Sequence, residues 1–277
     1  MTADFGASIA AHYSHDPERD RLETWAQLEQ LRTQELLDRF LPSPPAVVHD
    51  VGGARDAYAL PLARAGYDVH LVDPWEPHVD AAAAASETQT AAPLGSVTLG
   101  DARGLPFDDH SADAVLLLGP LYHLVERDQR ALALSEAHRV LRPGGVLLAA
   151  GISRFASTFD GLRSGAIADP TFAAVVENDV RTGVHRNPEP QSHPEWFTDA
   201  YFHRPDELHD ELDVAGFGDI QILPVEGVGA FGIADDQLDD PARREAALQA
   251  IRRVESFPEL VGASAHIMGI GRTARQQ

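Results

Sequence analysis

Apolar residues in this chain fall either in short solid runs or in stretches with helical spacing, and the two kinds alternate for most of its length. Leu22, Trp25, Leu28, Leu36 and Phe40 share one broad side of a helix predicted over 17–41. Pro42 to Pro45 end it, because proline cannot continue a helix and restricts the residue before it. A short buried strand over 46–51 then feeds a Gly-Gly turn, and a helix over 57–65 closes at Gly66. A strand over 69–72, a helix over 76–85 and strands over 97–99 and 114–118 follow. Next come a helix over 127–141 and a strand over 146–150, with Arg142-Pro143-Gly144-Gly145 read as a turn between them.

Repeated strand–helix units with solid apolar strands predict a doubly wound, mostly parallel α/β sheet covered on both faces. Ligands of such sheets bind beyond the carboxyl ends of the strands, near the point where strand order reverses. From 153 to 201 the pattern dissolves into Pro, Gly, His and aromatic residues, with a helical piece near 171–180. That stretch reads as a lid insertion. Regular spacing resumes with a helix over 204–215, strands over 220–225 and 265–271, and a helix over 240–256 between them. The expected organisation is a single domain over 1–277. It has a helical cover (1–45), a cofactor-binding core (46–151), a lid for substrate (152–203) and the rest of the sheet (204–277).

Composition narrows the function. The chain holds 22 Lys and Arg against 43 Asp and Glu, a formal charge of −21. Such a field repels nucleic acid and anionic membranes, so the expected partner is a small molecule. With no cysteine, disulfides, Cys-ligated zinc and thiol catalysis are excluded. No long apolar run and no basic-then-apolar leader is read, and the expected compartment is the cytoplasm.

The first loop, Asp50-Val51-Gly52-Gly53-Ala54, lies between a strand and a helix. Its glycines fit either structural punctuation or close backbone approach to a ligand. Asp73 ends the second strand, where a carboxylate can accept a ribose diol. Asp101 follows the third, where it can receive an adenine amino group. Each acid alone fits a solvated turn or helix cap better than a ligand site. Together they suit a nucleoside.

These motifs run in order. Asp50-Val51-Gly52-Gly53 is followed by Leu71-Val72-Asp73, Gly100-Asp101-Ala102-Arg103-Gly104-Leu105-Pro106-Phe107, Asp113-Ala114-Val115 and Leu141-Arg142-Pro143-Gly144-Gly145. The set resembles class I S-adenosylmethionine-dependent methyltransferases, most of all their small-molecule, ubiquinone-biosynthesis-like branch. Leu118-Gly119-Pro120-Leu121-Tyr122-His123-Leu124 and Phe197-Thr198-Asp199-Ala200-Tyr201-Phe202-His203-Arg204-Pro205 resemble a bacterial subgroup of that family. The resemblance implies a Rossmann-like fold, S-adenosyl-L-methionine as cofactor, and methyl transfer to an O, N or C atom of a small molecule. It implies that Gly52 and Gly53, in the loop opened by Asp50, face the methionine part. Asp73 would face the ribose, Asp101 and Ala102 the adenine, and Gly119 the sulfonium. Ala54 and Asp56 stand where the family pattern has glycine, so binding without methyl transfer, as in a cyclase or scaffold, is the alternative. A nicotinamide oxidoreductase shares the strand, turn and Asp73, but gives Asp101 no required role.

Methyl transfer from a sulfonium is governed by positioning, and a general base is needed only for a protonated nucleophile. His123, after the fourth strand, is either that base or a packed residue opening the next helix. Tyr122, His185, Arg186, Tyr201 and His203 are candidates for gripping substrate, and Tyr13 and Trp25 for covering the cofactor. The lid histidines lack the close helical spacing of an H-E-x-x-H metal motif, and no metal is expected.

Overall fold

The protein is described from a computed structural model covering residues 26–54, 57–233 and 238–275. Tyr13, Leu22, Trp25, Arg55 and Asp56 lie outside the described residues. Strands β1 (Val47–Val51), β2 (Asp68–Asp73), β3 (Ser96–Leu99), β4 (Ala112–Leu117) and β5 (Leu141–Ser153) run parallel in the spatial order β3-β2-β1-β4-β5. The last strand, β9 (His266–Arg272), lies antiparallel on β5, and β8 (Gly218–Pro224) lies antiparallel on β9. Strand order reverses between β1 and β4, which opens a crevice at their carboxyl ends.

Side-chain alternation sorts the strands' apolar residues onto two faces. Val48, Leu116 and Leu148 pack against α1 (Gln27–Phe40), α2 (Ala59–Arg64) and α3 (Glu76–Thr88), through Leu36, Leu60, Leu62 and Ala82. Val51, Leu117 and Leu147 pack on the other face against α5 (Arg127–Val140), α8 (Pro205–Val214) and α10 (Pro258–Val261). Covering both faces is what requires the solid apolar runs seen in the sequence. A further long helix, α9 (Pro241–Val254), adds Leu248 and Ile251 to a smaller cluster with Leu28 of α1.

One expected turn is part of a strand. Arg142-Pro143-Gly144-Gly145 belongs to β5, which is paired to β4 both before and after these residues. The register slips from Ala112↔Leu141 to Ala114↔Val146, so the extra residues bulge out, with Gly144 at φ +82°.

The lid carries more regular structure than its composition suggested. Within it are α6 (Ala156–Ser164), α7 (Pro170–Thr182), β6 (Val184–His185) and β7 (Ala200–His203). Asp169 caps α7 by accepting from the Thr171 N–H, and Gly183, at φ +76°, ends it. The placement of β7 follows from β5. Ile152 pairs with His266 on one edge and with Phe202 on the other, whereas β4 pairs with β5 only as far as Ala149. Strand β7 therefore occupies the edge that β4 leaves, beyond the carboxyl end of β4, so the lid meets the crevice there.

Helices α6 and α7 touch where only glycine fits. A Cβ on Gly161 would lie 2.6 Å from Cε1 of the buried Phe172. Gly161→Ala is expected to cost about 1–3 kcal/mol in urea unfolding followed by circular dichroism. An unchanged midpoint would show that the helices are not in close contact.

Candidate functional site

The crevice is built around Asp50. It sits next to the end of β1 on the α1 face, is 1% exposed, and neither carboxylate oxygen has a hydrogen-bond partner. Burial, then repulsion from Asp73, pushes its pKa up to about 7. The glycine loop closes tightly over it. A Cβ on Gly53 would stand 2.6 Å from Asp50 Oδ2, and one on Gly52, at φ +70°, 2.6 Å from Pro120 Cγ. Gly119 closes the far side, where a Cβ would be 3.4 Å from the Gly52 carbonyl oxygen and 3.6 Å from the Tyr122 hydroxyl. The loops after β1 and β4 are thus in contact across the switch point.

Asp73 ties the first loop to β2. Its Oδ2 accepts from the Ala54 N–H at 3.0 Å, and its Oδ1 from the Trp75 N–H at 2.9 Å with His78 Nδ1 at 3.2 Å. Ala54 itself lies at φ +52°, the left-handed region, which costs a residue with a Cβ about 1–2 kcal/mol. Trp75 and His78 escaped the sequence reading. The spacing of His78, five residues past the acid and in the first turn of α3, was the only available signal.

Asp101 is engaged differently from the expectation. Arg103 holds both of its oxygens, Nε on Oδ1 at 2.8 Å and an Nη on Oδ2 at 2.6 Å. Although burial opposes it, these contacts lower the Asp101 pKa. Ala102 packs into the core beneath, so only its backbone faces outward chemistry. Tyr122 and His123 end the short helix α4 (Pro120–His123). Tyr122 joins Ile152, Ala200 and Phe202 in an apolar cluster, and the His123 ring lies 5.9 Å from the Phe197 ring at 29°. Aromatic side chains thus join α4 to the lid.

The other lid candidates, read from the sequence as substrate groups, each have partners within the protein. His185 is 2% exposed, with Nδ1 at 2.8 Å from Asp179 Oδ2 and Nε2 at 2.8 Å from the Trp196 carbonyl. His203 is fully buried against Glu211, and burial lowers its pKa. Tyr201 lies beneath Arg130, whose guanidinium carbon is 3.7 Å from the ring centre, and its hydroxyl accepts from Arg154 at 3.3 Å. Arg186 is exposed and pairs with Asp199. His185 and His203 are thus turned inward, whereas Arg186 stays at the surface.

The Asp50 pKa has a consequence for stability. The folded protein holds that proton more tightly than the unfolded chain, whose carboxyl titrates near 3.8. Stability therefore declines as pH rises from 3.8 toward about 7 and stays lower above that. Asp50→Asn removes the cost of a buried charge. It is expected to raise the thermal midpoint by several degrees at about pH 8, with the gain shrinking toward about pH 5. Equal midpoints at both pH values would show that Asp50 is ionised at little cost.

Comparison with known proteins places this geometry. Residues 49–149 match the family described as "Methyltransferase domain". An uncharacterized methyltransferase of Mycobacterium tuberculosis is 39% identical over 113 residues, which is 41% of this chain and 42% of that protein. This chain therefore aligns with less than half of that relative's length. Among solved structures, a possible histamine N-methyltransferase from Thermotoga maritima superposes with a TM-score of 0.55 at 18% identity, covering 94% of this chain and 96% of that one. The [4+2]-cyclase SpnF superposes with a TM-score of 0.54 at 17% identity, covering 90% of this chain and 82% of that one. Matched motifs and sheet order agree: residues 49–149 match a methyltransferase domain, on the fold of solved S-adenosylmethionine-dependent methyltransferases.

Proposed function

We propose that this protein binds S-adenosyl-L-methionine at the β1–β4 crevice and transfers its methyl group to an O, N or C atom of a small molecule in the cytoplasm. The observation that carries this reading is Asp50, a buried carboxylate with no partner beneath a loop that has room only for glycine. A ligand ammonium is the group that would satisfy it. The residues suit the cofactor in other respects. Gly52, Gly53 and Gly119 leave backbone where side chains would fill the space, and Asp73 keeps acceptor capacity beyond its present contacts. Asp101 and the Ala102 backbone lie at the end of β3, where an adenine would rest.

When bound, the cofactor supplies an electrophilic methyl group on a sulfonium. The chain's own part is to bind, orient and exclude water. The pairing of β7 beyond β4 brings Tyr122, His123 and Phe197 to one wall of the crevice, where they would hold a flat or apolar acceptor. His123 is the group on that wall suited to take a proton from a hydroxyl or ammonium. The net charge of −21 argues against a nucleic-acid acceptor, and no helix among the described residues is long and apolar enough to cross a membrane. The small amine in the Thermotoga protein's description accords with an acceptor of modest size.

A second reading, cofactor binding without methyl transfer, has the left-handed Ala54 and the cyclase SpnF in its favour. Calorimetric titration with S-adenosylmethionine and S-adenosylhomocysteine, beside labelled-methyl transfer to a panel of small hydroxyl, amine and carbon acceptors, separates the two. Binding with transfer is expected. Binding alone across the panel favours the second reading, and a thermal shift with NAD(H) but none with either sulfur ligand would overturn both.

Two variants sharpen the test. Gly53→Ala sets a methyl group against Asp50 Oδ2 and is expected to weaken cofactor binding at least about tenfold. Ala54→Gly relieves the left-handed strain and is expected to stabilise the fold by about 1 kcal/mol in thermal unfolding. If Ala54→Gly left the fold no more stable, the strain at this position would be disproved.

A further inference from the structure

Away from the glycine loop, three side chains from separate parts of the chain meet at the carboxyl edge of the sheet. Glu29 comes from α1, Glu226 from the turn after β8, and His266 from the first position of β9. Among the described residues, this is the one group of His, Asp or Glu whose potential ligand atoms all lie within 4.8 Å of one another. His266 Nδ1 is 2.6 Å from Glu226 Oε1 and 3.6 Å from Glu29 Oε2. We propose that these residues form a divalent-cation site, with His266 Nδ1 and one oxygen each from Glu226 and Glu29 as ligands.

The chemistry and the surrounding shell both support a cation. Two carboxylates and one imidazole are a nitrogen–oxygen donor set suited to Zn2+, Mn2+ or Fe2+, and three protein ligands leave coordination positions for water or another ligand. Glu226 is 7% exposed and its carboxylate is fixed in direction. Its Oε2 accepts from the Ser264 hydroxyl at 2.8 Å and the His266 N–H at 2.9 Å, which directs Oε1 toward the imidazole. The Ser264 hydroxyl is itself fixed, since it accepts from the Gly227 N–H at 2.9 Å. A carboxylate aligned in this way by outer hydrogen bonds is how proteins orient a metal ligand.

The site also faces the functional end of the molecule. His266 pairs with Ile152 beside β7, and its side chain falls on the face shared by Met268, Ile270 and the residues around Asp50. A cation there would stand at the carboxyl end of the sheet, on the edge of β5 opposite β7, able to hold an oxygen-bearing ligand in its open positions.

The test needs no knowledge of the acceptor. Protein stripped with a chelator is titrated with Zn2+ and with Mn2+ by calorimetry, and with Co2+ by visible absorption. One equivalent is expected to bind, with an imidazole-dependent cobalt band. His266→Gln and Glu29→Gln, whose side chains lie at the rim, should each weaken binding at least about tenfold, and Ser264→Ala by a similar factor through the outer shell. Circular dichroism of each variant verifies folding, and anomalous scattering from crystals grown with Zn2+ should place the ion between the three residues. No binding, or binding of equal affinity in His266→Gln, would overturn the proposal. Neither outcome bears on methyl transfer, which the cofactor titration tests separately.

Discussion

A carboxylate taken out of water without a hydrogen-bond partner is among the costlier features a fold can keep, and here it lies under the loop that defines the site. Asp50 can stay there because β1 is central and parallel, with β2 and β4 on either side and helices over both faces. The same burial dictates Gly53, since any Cβ would meet the carboxylate, and it makes Gly52 the residue that turns against Pro120. Asp73 holds the outgoing chain through the Ala54 N–H and keeps Asp50 from ionising freely. The need for glycine at 53 and the charge state of the crevice both trace to this one buried acid.

The lid is secured by charge rather than by apolar bulk alone. Arg154 donates to the Phe202 carbonyl and pairs with Glu207, fastening β7 to the start of α8. Arg130 joins α5 to α8 through Glu211 and lies over Tyr201. Buried ion pairs contribute little net stability but penalise misplacement strongly, because moving one partner strands the other. They suit a segment that must come to rest at one position beyond β4.

Most of the sheet was legible because its signals are local. Solid apolar runs, the glycines after β1 and the acids closing β2 and β3 need only a few neighbouring residues to be read. Most boundaries moved by three residues or fewer, except at Arg142-Pro143-Gly144-Gly145, where turn chemistry serves a bulge inside a paired strand. The site was legible only in part. The grip of Arg103 on Asp101 lies two residues away and was open to reading, whereas the inward turn of His185 and His203 depends on Asp179, Trp196 and Glu211 arriving from other elements. Lid histidines look like substrate groups in a sequence because composition does not reveal which face is covered. Glu29, Glu226 and His266 left no trace at all, as they meet only when α1, β8 and β9 are assembled.

The account stands most directly on the charge of Asp50. Its carboxyl can be followed by carbon-13 NMR across a pH titration, first in the ligand-free protein and then with S-adenosylhomocysteine. The predicted midpoint in the ligand-free protein is about 7, falling on binding as the ligand ammonium takes up the carboxylate. A midpoint near the ordinary 3.8 that the ligand leaves unmoved would contradict it.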